Sequence, residues 1–136
     1  MQVHEAMSRN VELVNPGTPL REVARRMQQL EIGALPVGEG ERLVGMVTDR
    51  DLVVRGLAQA DDLQNACVRE CMTPQVLYCF DDQPLDEVAA SMAENQVRRL
   101  PVVSRDKRLV GIVALADIAG HADTRRAGDT LREISQ

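Results

Sequence analysis

The chain has no tryptophan, one tyrosine and one phenylalanine among 136 residues. A ring-filled core is excluded, so Val, Leu, Ile, Ala and Met must supply the buried volume. The same scarcity argues against the stacked aromatic platform that binds single-stranded nucleic acid. Positive charge is also short: 16 Lys and Arg against 21 Asp and Glu leave a net charge of −5. No global field therefore attracts DNA, RNA or acidic lipid. No apolar run approaches membrane-spanning length, and Met1-Gln2-Val3-His4-Glu5 lacks a basic stretch leading into an apolar core. The expectation is a cytoplasmic protein without nucleic-acid or membrane partners.

Cysteine is limited to Cys67, Cys71 and Cys79, an odd number suited to free thiols in a reducing compartment. Cys67 and Cys71 are four apart and could share a helix face. With only His4 and His121 as further soft ligands, a zinc site would need ligands gathered by the fold. Nucleophile–base pairs, metal-ligand spacings and a Walker-type glycine loop are missing too, so no catalysis is expected.

What the chain does have is an internal repeat. At an offset of 65 positions, Val3, Glu5, Met7, Val11, Pro19, Leu20, Glu22, Val23, Ala24 and Met27 meet identical residues, as does Leu35-Pro36-Val37. After a one-residue insertion Arg42, Leu43, Val44, Gly45, Val47 and Asp51 match Arg108, Leu109, Val110, Gly111, Val113 and Asp117. The expected organisation is a first copy at 1–57, a linker at 58–67, a second copy at 68–123 and a polar tail at 124–136. Neither copy, at about 55 residues, buries much core alone, so the two are expected to pack about a pseudo-twofold axis.

Each copy reads as β-α-β-β-α. A short segment (Val3–Met7; Val68–Met72) precedes a brief strand at Val11–Val14 or Val76–Cys79. A helix follows, with its apolar stripe on Leu20, Val23, Ala24, Met27 and Leu30, or on Leu85, Val88, Ala89 and Met92. Next comes a strand with Leu35-Pro36-Val37 or Leu100-Pro101-Val102, whose proline suggests an edge or a strand end. A polar turn leads to an apolar strand, Leu43–Val47 or Leu109–Val113, and then to a second helix.

The junction Gly45-Met46-Val47-Thr48-Asp49-Arg50-Asp51 carries the chemistry. A helix start offers unpaired N–H groups and a positive dipole end to a phosphate, and Asp51 could grip ribose hydroxyls. Thr48 with an acid three residues on is equally a capping box that needs no ligand.

The doubled unit, with its Leu-Pro-Val strand, its Gly-x-Val strand and its acidic helix start, resembles a CBS-domain pair, the Bateman module. The resemblance covers residues 1–123 and implies an α+β fold of two intertwined repeats. It also implies a homodimer that regulates an unknown protein partner and binds AMP, ADP, ATP or S-adenosylmethionine in clefts between the repeats, with no required cofactor and no catalysis. Carried over, the first cleft would use Thr48 for phosphate, Asp51 for ribose and Arg50 for negative charge. Its adenine wall would come from Thr73, Gln75, Leu77 and Val97. Gly33 and Ala34 stand where the family often has basic residues. The second cleft keeps Asp117, replaces the hydroxyl residue by Ala114 and Arg50 by Ala116, and gains Arg98 and Arg99 for phosphate. Its adenine wall would come from Asn10, Glu12 and Ile32. The alternative is a dimerisation or docking module whose clefts stay empty.

Overall fold

The computed structural model describes residues 1–74 and 76–121. Gln75 and the polar tail therefore lie outside the described residues. The chain forms two compact units: Glu12–Val76, and Met1–Val11 together with residues from Leu77 onward. These units cut across the two sequence copies. In each unit the leading segment of one copy folds with the body of the other.

In the Glu12–Val76 unit, helix α1 (Leu20–Leu30) follows Pro19, whose fixed φ suits a helix entry. Val23 and Met27 bury its stripe with Leu20, while Ala24 is exposed and Leu30 is 41% exposed. The expected stripe is thus narrower by those two residues. Glu31 ends the helix in the left-handed region. Strands β1 (Ala34–Glu39) and β2 (Arg42–Thr48) pair antiparallel, from Ala34 opposite Thr48 to Glu39 opposite Arg42. Gly40 turns the hairpin at φ 63°, a conformation glycine adopts without strain. Strand β2 runs directly into a short helix, α2 (Asp49–Asp51). The strand expected at Val11–Val14 is reduced to one parallel bridge, Val14 to Val37, because Pro16 and Gly17 turn the chain away at once. Pro36 leaves no donor, but its carbonyl accepts the Val14 N–H at 3.1 Å.

The other unit repeats the pattern with a fuller sheet. Strand β3 (Cys79–Phe80) lies parallel to β4 (Arg99–Val103), which pairs antiparallel with β5 (Leu109–Ala114). The second proline strand is therefore central rather than an edge. Pro101 is tolerated because β3 pairs only with Val102 and Val103, leaving Pro101 beyond the end of that ladder. Helix α3 (Leu85–Asn95) buries Leu85, Val88, Ala89 and Met92, the whole expected stripe. Helix α4 (Leu115–His121) closes the unit. Each buried Leu, Val or Met side chain here contributes roughly 1.5–3 kcal/mol relative to exposure.

Each unit is completed by a 3-10 turn borrowed from the other copy, Val68–Glu70 in the first unit and Val3–Glu5 in the second. After the turn, Thr73 exchanges two backbone hydrogen bonds with Met46 at 2.8 and 2.9 Å, and Ser8 does the same with Ile112. These crossings explain the glycine in each apolar strand. A Cβ on Gly45 would lie 2.8 Å from the Thr73 carbonyl oxygen, and one on Gly111 would lie 2.7 Å from that of Ser8. Met72 and Met7 pack on the same glycines.

Candidate functional site

Helix α2 starts where β2 ends, and its first turn is held by a reciprocal pair of bonds. The Thr48 N–H donates to Asp51 Oδ2 at 3.0 Å, and the Asp51 N–H donates to Thr48 Oγ1 at 3.1 Å. The capping box weighed from the sequence is therefore formed. It does not exhaust the carboxylate, whose two oxygens have about four acceptor sites. Both side chains are half-buried, and Arg50 is exposed beside them. The Asp49 N–H donates to the Gly33 carbonyl at 2.9 Å, which ties the residue before β1 to the same junction.

The equivalent corner of the second unit has the same scaffold with different side chains. The Leu115 N–H donates to the Arg98 carbonyl at 2.8 Å, and Ala114 is the ladder partner of Arg99. Asp117 Oδ2 accepts the Ala114 N–H at 3.3 Å, so half of the box survives without a hydroxyl to return it. The fold thus brings Arg98, Arg99 and Asp117 to one corner. Both arginines are exposed, and among the described residues neither forms an ion pair or a side-chain hydrogen bond. The first corner has acid, hydroxyl and Arg50 but Gly33 and Ala34 where the second has guanidinium groups.

The adenine-facing candidates divide between the units. Glu12, Ile32 and Thr73 belong to the unit of Thr48, Arg50 and Asp51, whereas Asn10, Leu77 and Val97 belong to that of Arg98, Arg99 and Asp117. Ile32 and Val97 each pack half-buried on their own unit's core. Asn10, Glu12 and Leu77 are exposed, and the Thr73 backbone is committed to Met46. Gln75 lies outside the described residues.

Three features were not anticipated. After Asp51 the helix continues as a π segment, Leu52–Leu57, rather than an α-helix. A groove of about 650 Å³ runs beside it, lined by Pro19, Leu20, Arg21, Ala24, Leu52, Leu63 and Gln64, and contains none of the predicted site residues. Third, Cys67 and Cys71 do not share a helix face but flank the 3-10 turn as its two caps. Burial, reinforced by nearby Asp51, pushes the Cys71 thiol up to about 11, and burial with Asp81 nearby takes Cys79 to about 12. Both stay protonated and are poor nucleophiles at neutral pH. Among the described residues no group of three or more His, Cys, Asp or Glu could hold a metal ion. Nor is any helix among them long and apolar enough to cross a membrane.

The repeated corner on an α+β unit defines the class. The CBS domain profile matches residues 3–57 and 68–123, and the chain belongs to that family. It is 39% identical to the CBS domain-containing protein YhcV of Bacillus subtilis over 134 residues, covering 98% of this chain and 94% of that one. A solved structure of Hypoxic Response Protein I with two coordinated zinc ions matches with a TM-score of 0.78 at 40% identity, covering 90% of this chain and 99% of the other. CBSX2, solved in complex with AMP, matches with a TM-score of 0.74 at 28% identity over 96% and 98% of the two chains.

Proposed function

We propose that this CBS pair is a non-catalytic regulatory module that binds an adenosine-containing ligand: AMP, ADP, ATP or S-adenosylmethionine. The observation that carries the reading is the repeated helix-start corner, with Asp51 and Asp117 fixed in equivalent positions by equivalent backbone bonds. Each carboxylate would accept from the two ribose hydroxyls. Thr48 and Arg50 in one corner, and Arg98 and Arg99 in the other, would hold phosphate, arginine being suited to it by its forked, permanent donors. Asn10, Glu12, Ile32, Gln75, Leu77 and Val97 would face adenine. The AMP complex of CBSX2, a member of the same fold, supports the ligand class.

The ligand would act by favouring one conformation of the module over another, and only by its differential affinity for the two. A cytoplasmic homodimer that passes this change to a protein partner completes the reading. A second reading, a dimerisation or docking module with empty corners, is favoured by the formed Thr48–Asp51 box, which satisfies both residues without a ligand, and by Ala114. Thermal unfolding with each of the four ligands separates the two. Binding at 100 times Kd raises stability by about 2.7 kcal/mol, whereas no shift at millimolar concentration of any of them rejects the nucleotide reading.

A further inference from the structure

Among the described residues, the π segment Leu52–Leu57 is a place where the two copies use different helical geometry. In the second copy the residues after the same kind of corner form the α-helix Leu115–His121. In the first, the hydrogen bonds widen to five residues, as in Ala58 N–H to Val53 O at 3.0 Å. The corner of the second copy thus leads into an α register as far as His121, and the first copy departs from that register from Leu52 onward. The segment is anchored at Leu52, which packs on the core, at buried Gly56 and by the Arg55 guanidinium donating to the Met72 carbonyl at 3.5 Å, while its other side chains face outward. Val53 and Val54 are β-branched and 57% and 43% exposed, and Leu57 is 63% exposed. Gly56 is a weak helix former, present where a Cβ would lie 2.8 Å from Leu20 Cδ1. Beyond it the mostly exposed stretch 58–62 can take up a displaced residue.

We propose that Leu52–Leu57 is a register switch, with the π form observed here and an α form in which one residue passes into the following turn. Asp51 is the residue immediately before the π segment and is also the ribose carboxylate of the functional reading above, on which the ligand half of this inference rests. A ligand that fixes Asp51 fixes the direction in which the first turn points, and so favours one of the two registers. Moving one residue rotates the rest of the segment by about 100°, which changes the aliphatic surface that Val53, Val54 and Leu57 present.

Two measurements on the full chain test the switch. Deleting Val54 removes the surplus residue and is expected to leave a cooperative transition with Tm within about 5 °C of the parent. Deleting the exposed Ala90 from α3, which has no surplus, is expected to abolish the transition. Loss of the transition in both variants overturns the proposal. In parallel, amide exchange over 52–60 is followed with AMP at a saturation set by calorimetry. A change of about tenfold or more in that stretch is expected, and saturated binding with unchanged exchange overturns the coupling. Absence of binding at millimolar AMP, ADP, ATP and S-adenosylmethionine alike overturns the functional reading instead, while the Val54 deletion still decides whether the register can change.

Discussion

Asp51 has two duties, and they respond differently to substitution. Its carboxylate caps the Thr48 N–H, so Asp51→Ala removes a structural bond as well as the ribose acceptor and should cost about 1 kcal/mol of stability. Asp51→Asn keeps an acceptor for the cap but loses the charge that grips a diol. It should unfold within about 2 °C of the parent while weakening AMP binding about tenfold or more, read by calorimetry. Equal binding by the two proteins would remove Asp51 from the ribose role. The cysteines give an independent check of burial. Cys67 should react with a thiol reagent in the native protein while Cys71 and Cys79 wait for unfolding. Because folding raises both buried pKa values, the native state holds protons that the unfolded state has released above the ordinary thiol range. The thiol contribution to stability should therefore fall as pH rises through about 9 to 12, and a Cys71→Ala, Cys79→Ala double variant should lose that part of the slope in urea titrations.

At the scale of elements, α1, α3 and the two hairpins were legible because their signals are local: a 3.6-residue stripe, a proline at the helix entry and a polar turn between apolar runs. The Thr48–Asp51 junction was legible for the same reason, although sequence could not choose between cap and ligand. The Val11–Val14 strand failed because a β-propensity signal says nothing about whether a partner strand is long enough to pair. The central position of Pro101, the narrower α1 stripe and the π segment depend on neighbours distant in sequence. So do the glycines. Gly45 and Gly111 read as part of a repeat, but their reason is the crossing backbone of Thr73 or Ser8, whose carbonyl oxygen would lie under 3 Å from a Cβ at either position. Gly45→Ala and Gly111→Ala should each destabilise the protein by about 1–3 kcal/mol in urea unfolding, more than Gly40→Ser at an open turn whose positive φ costs about 1 kcal/mol. Equal, negligible effects at Gly45 and Gly111 would show that the crossings are loose.

The whole molecule is built from exchanged pieces: each sequence copy lends its leading turn to the other's unit. Repeat boundaries and folding boundaries consequently differ. The fragment 12–76 contains a complete core from Val14 to Cys71, whereas a fragment cut at 1–57 lacks Ala66, Val68 and Cys71. The first should unfold cooperatively by circular dichroism and the second should not; the reverse result would contradict the exchange. The most direct test of function is calorimetric titration of the full chain with AMP and with 2′-deoxy-AMP. Saturable AMP binding with at least about tenfold weaker binding of the deoxy ligand is predicted, since a missing hydroxyl strands part of a half-buried carboxylate. Equal affinity for the two, or no heat at millimolar concentration with any of AMP, ADP, ATP and S-adenosylmethionine, would contradict the account.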